Sequence, residues 1–115
     1  MRQILPTEQL SEAASKKIAT FHNDVVDQVK EAVRGNKIVV VGMSQNPFVK
    51  KARVLLTEKR MDFKYLEFGS YFSMWKPRLA IKIWSGWPTF PQVFVDGRLI
   101  GGFKELSEHL GKQSN

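Results

Sequence analysis

Cysteine is absent from this chain. That removes disulfides, thiolate nucleophiles and zinc–thiolate sites together. Histidine is scarce: His22 and His109 fall in separate predicted helices with no partner at metal-ligand spacing, so no metal site is expected. No apolar run approaches the roughly 20 residues that span a bilayer. The N-terminal stretch lacks a signal peptide's apolar centre, and Glu8 and Glu12 argue against an acid-poor transit peptide. A cytoplasmic protein without membrane contact is expected. Acidic residues are also in deficit, 11 against 18 basic, for a net charge of +7 that favours anionic partners. Nucleic acid is one such partner, but there is no RNP-like aromatic motif, zinc finger or arginine-rich arm to read it.

What is present suits one hydrophobic core: 115 residues with 43% hydrophobic and 25% charged content. From Thr7 to Arg34 the apolar positions Leu10, Ala14, Ile18, Phe21, Val25, Val29 and Val33 recur every three or four residues, an amphipathic helical stripe. Thr7 is the expected N-cap and Gly35 the expected C-cap. An unbroken helix of that length would measure about 42 Å, too long for so small a domain to cover. The expectation is therefore a break near Thr20–Asp24, with helix 21–34 packed on the domain and helix 7–19 an extra element. In domain terms, 1–20 is a helical extension and 21–115 the folded unit.

Ile38–Val41 is an unbroken β-branched run, as in a central strand covered on both faces. Asn46-Pro47 opens a helix, with asparagine as N-cap and proline in the first turn. Phe48, Ala52, Leu55 and Leu56 are its expected inner face, with Lys50, Lys51 and Arg53 outward. Phe63–Phe68 reads as a strand and Trp75–Trp84 as a helix with Pro77 in its first turn. Gln92–Val95 and Arg98–Ile100 form a hairpin, because Asp96-Gly97 supplies the positive φ angles of a type I′ turn. Phe103–Leu110 closes the chain as a helix before a polar tail at 111–115. Parallel strands joined by helices and ending in an antiparallel hairpin make a mixed α/β sheet sandwiched between helices.

The most specific segment is Trp87-Pro88-Thr89-Phe90-Pro91-Gln92, followed through the hairpin by Gly101-Gly102. From about Asn36 to Leu110 the chain resembles a glutaredoxin, and within that family it is most similar to the monothiol members. The resemblance implies a thioredoxin-like fold: a mixed four-stranded sheet flanked by helices, here with an extra N-terminal helix. It also implies a place in glutathione-linked redox homeostasis. It makes Pro91 the family's cis-proline, exposing the N–H and C=O of Phe90 so that glutathione or a peptide can add like a short strand. The plainer alternative is a proline that merely starts an edge strand. The resemblance places Arg78 and Lys82 where cations hold the glycyl carboxylate of glutathione, although a solvated basic face explains the same spacing. Gly101 and Gly102 match the glycines that let backbone approach the γ-glutamyl end. Phe48, Thr89 and Phe103 complete the implied binding set.

The chain departs from the pattern where the chemistry resides. The family's Cys-Pro-Tyr-Cys or Cys-Gly-Phe-Ser reads here Asn46-Pro47-Phe48-Val49, the preceding lysine is Met43, and the acidic residue after the glycine pair is Lys104, with Glu105 beside it. Catalysis in the family needs a thiolate acidified at a helix N-terminus, and a bridging [2Fe–2S] cluster needs a thiolate ligand. Neither is available here. Ser44 has no base nearby in sequence to activate it. No catalytic residue is expected, and Asn46 is expected to cap its helix. Three functions stay open. The first is a non-catalytic homologue binding glutathione, another small anion or an extended peptide. The second is a thiol-disulfide oxidoreductase or cluster carrier whose cysteines have been replaced. The third is a basic polyanion binder.

Overall fold

The computed structural model describes residues 3–113. Its sheet is built on β1 (Ile38–Gly42), which pairs in parallel with β2 (Lys64–Glu67) and antiparallel with β3 (Gln92–Val95). Strand β4 (Arg98–Gly101) closes the order β2-β1-β3-β4. Every residue of β1 and β3 is buried, whereas the edge strands are partly exposed. The β-branched run of β1 follows from that position. Val39 and Val41 face one core with Val29, Ile81 and Phe94, while Ile38 and Val40 face the other with Ala52, Leu56 and Leu106. Side chains alternate faces along a strand, so only a continuous apolar sequence serves both cores. Asp96 and Gly97 both hold positive φ at the β3–β4 turn, as that dipeptide predicts.

Helices α2 (Asn23–Gly35) and α4 (Trp75–Ser85) cover one face. Helices α3 (Pro47–Glu58) and α5 (Phe103–Gln113) cover the other. Sheet, helix order and flanking layers match the thioredoxin-like α/β fold expected above. Among the described residues, no helix is long and apolar enough to cross a membrane.

The N-terminal stripe breaks where length required, at Phe21-His22, with His22 in the left-handed region. Helix α1 (Glu12–Thr20) starts later than the periodicity suggested. Thr7 belongs to a single 3₁₀ turn, Leu10 is extended, and the Ser11 hydroxyl accepts the Ala14 N–H at 3.0 Å to cap α1. Gly35 is the last helical residue of α2 rather than a left-handed cap; Asn36 closes that end, its Nδ2 donating to Ala32 O at 2.9 Å. Phe48 is not on the inner face of α3. Val49, Ala52 and Leu56 take that stripe, leaving Phe48 53% exposed. Helix α5 runs past Leu110 to Gln113, and the last two residues of the expected tail lie outside the described residues.

Candidate functional site

Strand register gathers the predicted site at one end of the sheet. Val41 pairs with Gln92, so Pro91 lies beside the end of β1 where the chain turns toward α3. Val93 pairs with Gly101, which brings the glycine pair next to the same proline. The Phe90–Pro91 bond is cis. A Cβ placed on Gly102 would lie 3.4 Å from Pro91 O and 3.8 Å from Trp87 Nε1, so Gly102 borders the proline loop at contact distance.

Asn46 is a helix cap. Its Oδ1 accepts the N–H of Phe48 at 2.9 Å and of Val49 at 3.1 Å, taking two of the donors that the first turn of α3 leaves without partners. Val49 is only 2% exposed and belongs to the core with Met43. The positions where the resemblance places sulfur and its lysine are thus filled by a cap and two packing residues. Asn46→Ala is expected to lower stability by about 1 kcal/mol, with Asn46→Asp retaining it. Denaturant unfolding of the two variants checks this.

The remaining predicted residues divide. Phe48 is exposed on α3 with Lys51 Nζ 5.1 Å from its ring centroid, and Thr89 is exposed next to buried Phe90. Lys82 Nζ lies 5.6 Å from the Phe90 ring centroid, so one predicted cation does face the proline loop. Arg78 does not join it. The residue is 7% exposed, and its Nη1 donates to Phe68 O at 2.9 Å and Ser73 O at 2.5 Å. Burial lowers its pKa from the ordinary arginine value, opposed by the charge of Tyr71. The helical spacing that suggested a carboxylate clamp instead directs Arg78 inward to hold the loop before α4. Phe103 is partly buried against the α3–α5 core, and Lys104 is exposed.

Glu105 has a larger part than sequence reasoning assigned it. Its Oε1 accepts the Gly102 N–H at 2.9 Å, and its side chain lies against Gly101, where a Cβ would come within 2.6 Å of Cγ. This is the reciprocal half of a capping box, readable as a glutamate three residues after the position preceding α5. The carboxylate occupies a donor that an open groove would offer to an anion and makes that corner acidic. Trp87 Nε1 and Gln92 Oε1 nearby are buried without hydrogen-bond partners among the described residues, while Gln92 Nε2 donates to Trp87 O at 3.0 Å.

On the β2 side of Asn46 a cleft of about 470 Å³ is lined by Gln45, Lys50, Arg53, Tyr65 and Glu67. Arg53 lies over the Tyr65 ring, 3.9 Å from its centroid, and the Tyr65 hydroxyl donates to Glu67 Oε1 at 3.0 Å. Burial, then the hydrogen bond to Glu67 and its charge, push the Tyr65 phenol up to about 12 against the partial opposition of Arg53. The folded pKa exceeds the unfolded value of 10.0, so this contribution to stability is complete below pH 10 and is lost as the pH rises toward 12. An ultraviolet titration should show the late phenol. Glu67→Gln should move it only part of the way back, because burial remains.

Among the described residues no group of three or more histidine, aspartate or glutamate side chains can hold a metal. A [2Fe–2S] cluster of the family type requires thiolate ligands, and the residues at this site, Asn46 foremost, supply none.

Comparison with known proteins agrees with this architecture. A family model for glutaredoxin matches residues 38–100. A glutaredoxin-like protein of Dictyostelium discoideum is 53% identical over 102 residues, 85% of this chain and 83% of that protein. Glutaredoxin-C1 of Arabidopsis thaliana is 31% identical over 73% of this chain and 67% of its own length. Among solved structures, a buckwheat glutaredoxin–glutathione complex superposes with a TM-score of 0.69 at 18% identity, covering 82% of this chain and 86% of that one. With that family match, a relative sharing more than half its residues over most of both chains, and the same fold, the chain belongs to the glutaredoxin family.

Proposed function

We propose that this protein is a non-catalytic member of its family, a cytoplasmic module that holds an extended backbone, of glutathione or of a partner's peptide, against the Phe90–Pro91 loop. One observation carries the reading: the residue at the nucleophile's position is an asparagine whose oxygen is consumed in capping α3, while the cis-proline loop beside it is retained. An amide oxygen holding two N–H groups neither attacks a disulfide nor ligates iron. The loop needs no side-chain chemistry to pair with an extended strand. Lys82 supplies a cation at the Phe90 end, and Glu105 supplies a carboxylate able to receive an ammonium at the glycine pair. The glutathione carried by the buckwheat structural neighbour supports a ligand of this type. In the same proposal residues 1–20 are an extension and 21–115 the groove-bearing domain.

Titration with glutathione and its disulfide, followed by amide resonances, tests the ligand. Shifts are expected at Phe90, Gly102 and Lys82; silence there removes glutathione and leaves the peptide. A second reading, of a redox protein whose cysteines have been replaced, rests on the position of Asn46 at a helix N-terminus, where a thiol would be acidified. Asn46→Cys tests it. A variant that neither deglutathionylates a substrate nor assembles a cluster on anaerobic reconstitution removes that reading.

A further inference from the structure

Four of the large apolar side chains exposed on this protein follow one another along α4 and the loop before it. Phe72, Trp75, Leu79 and Ile83 follow at intervals of three, four and four residues, from the loop before α4 along its outer side. Phe72 is 94% exposed, and Trp75 and Ile83 are each 58% exposed. Within α4, Trp75, Leu79 and Ile83 make one stripe, opposite the buried side formed by Arg78 and Ile81, and Phe72 stands before the helix, ahead of the left-handed Met74. A slack loop does not account for Phe72. Arg78 bonds two carbonyls of the loop, the Ser70 and Ser73 hydroxyls hold its backbone N–H groups, and Gly69 leaves no room for a Cβ beside Ser73 and Met74. The chain spends a buried arginine on a loop that presents an aromatic ring to water.

The stripe does not end in open solvent. Leu79 and Ile83 form one wall of a cleft of about 470 Å³ whose other side is Ile18, Phe21 and Val26, from α1, the turn after it and α2. Helix α1 buries none of its side chains, and Ile18 is 58% exposed. Among the described residues, the charged ones lining the cleft are Lys17 and Lys30, and no carboxylate lines it. An apolar floor between cations, approached along a helical stripe, specifies its occupant. The 11 residues of α4 span about 16 Å, which three turns of a second helix would match.

We propose that the cleft between α1–α2 and α4 docks an amphipathic helix of a partner protein, its apolar side on Leu79 and Ile83 and its flanking carboxylates on Lys17 and Lys30. Asn46, Phe90, Pro91 and Gly102 do not line this cleft, so the proposal stands apart from the function proposed for the proline loop. A second copy of the chain is disfavoured by charge, since two molecules of net +7 would oppose their lysine rims. A flat bilayer would reach Phe72 and Trp75 but not the concave floor at Phe21 and Val26.

The test uses the full chain and two capped synthetic peptides of about 15 residues, long enough to present a helical face. Both carry leucines at i, i+3, i+4 and i+7; one is flanked by glutamates and the other by lysines. The glutamate peptide is expected to shift the amides of Ile18, Leu79 and Ile83 and the indole resonance of Trp84. The lysine peptide, and the glutamate peptide on the Lys17→Glu/Lys30→Glu variant, should each bind at least roughly tenfold more weakly. Ile83→Asp should abolish the response while its circular dichroism stays that of the parent, the side chain being exposed. Equal binding of the two peptides, shifts confined to the proline loop, or no response to either peptide overturns the proposal. A dimer by sedimentation equilibrium that Ile83→Asp dissociates assigns the face to a second copy and overturns it. So does co-sedimentation with phosphatidylserine–phosphatidylcholine vesicles that Phe72→Ser/Trp75→Ser abolishes, with no peptide response.

Discussion

Arg78→Ala is expected to destabilise the fold by roughly 3 kcal/mol, with a fall in Tm on the order of 10–20 °C. Arg78 is a buried residue and shares Nη1 between Phe68 O and Ser73 O. Alanine would leave both carbonyls without that donor and empty the space the side chain fills. Hydrogen bonds from a charged donor contribute more than neutral ones, and orphaning buried acceptors carries their desolvation cost. Arg78→Lys should recover only part of the loss, because an ammonium is more strongly hydrated and lacks the planar fork. Thermal and denaturant unfolding measure the effect. A variant with unchanged Tm but no response to glutathione would return Arg78 to the groove and contradict the geometry.

The second large effect is at Gly42, and its cause is steric. A Cβ there would meet Val49 Cγ1 at 2.6 Å, Cγ2 at 2.9 Å and Tyr65 Cε1 at 3.2 Å. Val49 is β-branched, buried and in the first turn of α3, so its χ1 cannot turn aside freely. Gly42→Ala is expected to cost about 2 kcal/mol through overpacking. Val49→Ala alone should cost about 2 kcal/mol through the space it leaves. Together they should cost about as much as either alone, a favourable coupling of roughly 2 kcal/mol, since the new methyl enters the vacated volume. Additive losses in a double-mutant cycle would show that the two residues do not share that volume. The position where the resemblance would place a second sulfur is here a packing contact with the end of the central strand.

Features carried by short sequence spacing were legible before any coordinates. The β-branched run made β1 central, Asp96-Gly97 made the hairpin, Asn46-Pro47 capped α3, and the segment from Trp87 to Gln92 carried the cis-proline. The break in the N-terminal stripe was legible from length alone. Errors arose where two local signals competed: Thr7 and Ser11 both suit an N-cap, and Phe48 and Val49 are adjacent candidates for one inner face. The direction of Arg78 was not legible, because a one-turn spacing with Lys82 is the same whether a guanidinium faces solvent or the loop ten residues before it.

By itself, then, the sequence determined the family, the strand and helix order and the absence of a sulfur nucleophile, because periodicity, turn chemistry and residue type act over a few neighbouring positions. Only the tertiary structure decided that Arg78 buttresses a loop, that Glu105 closes over the glycine pair, and that an apolar stripe on α4 meets α1 across a lysine-edged cleft. Those outcomes depend on which distant segments are brought within hydrogen-bonding or van der Waals reach, and strand register and helix packing set that reach.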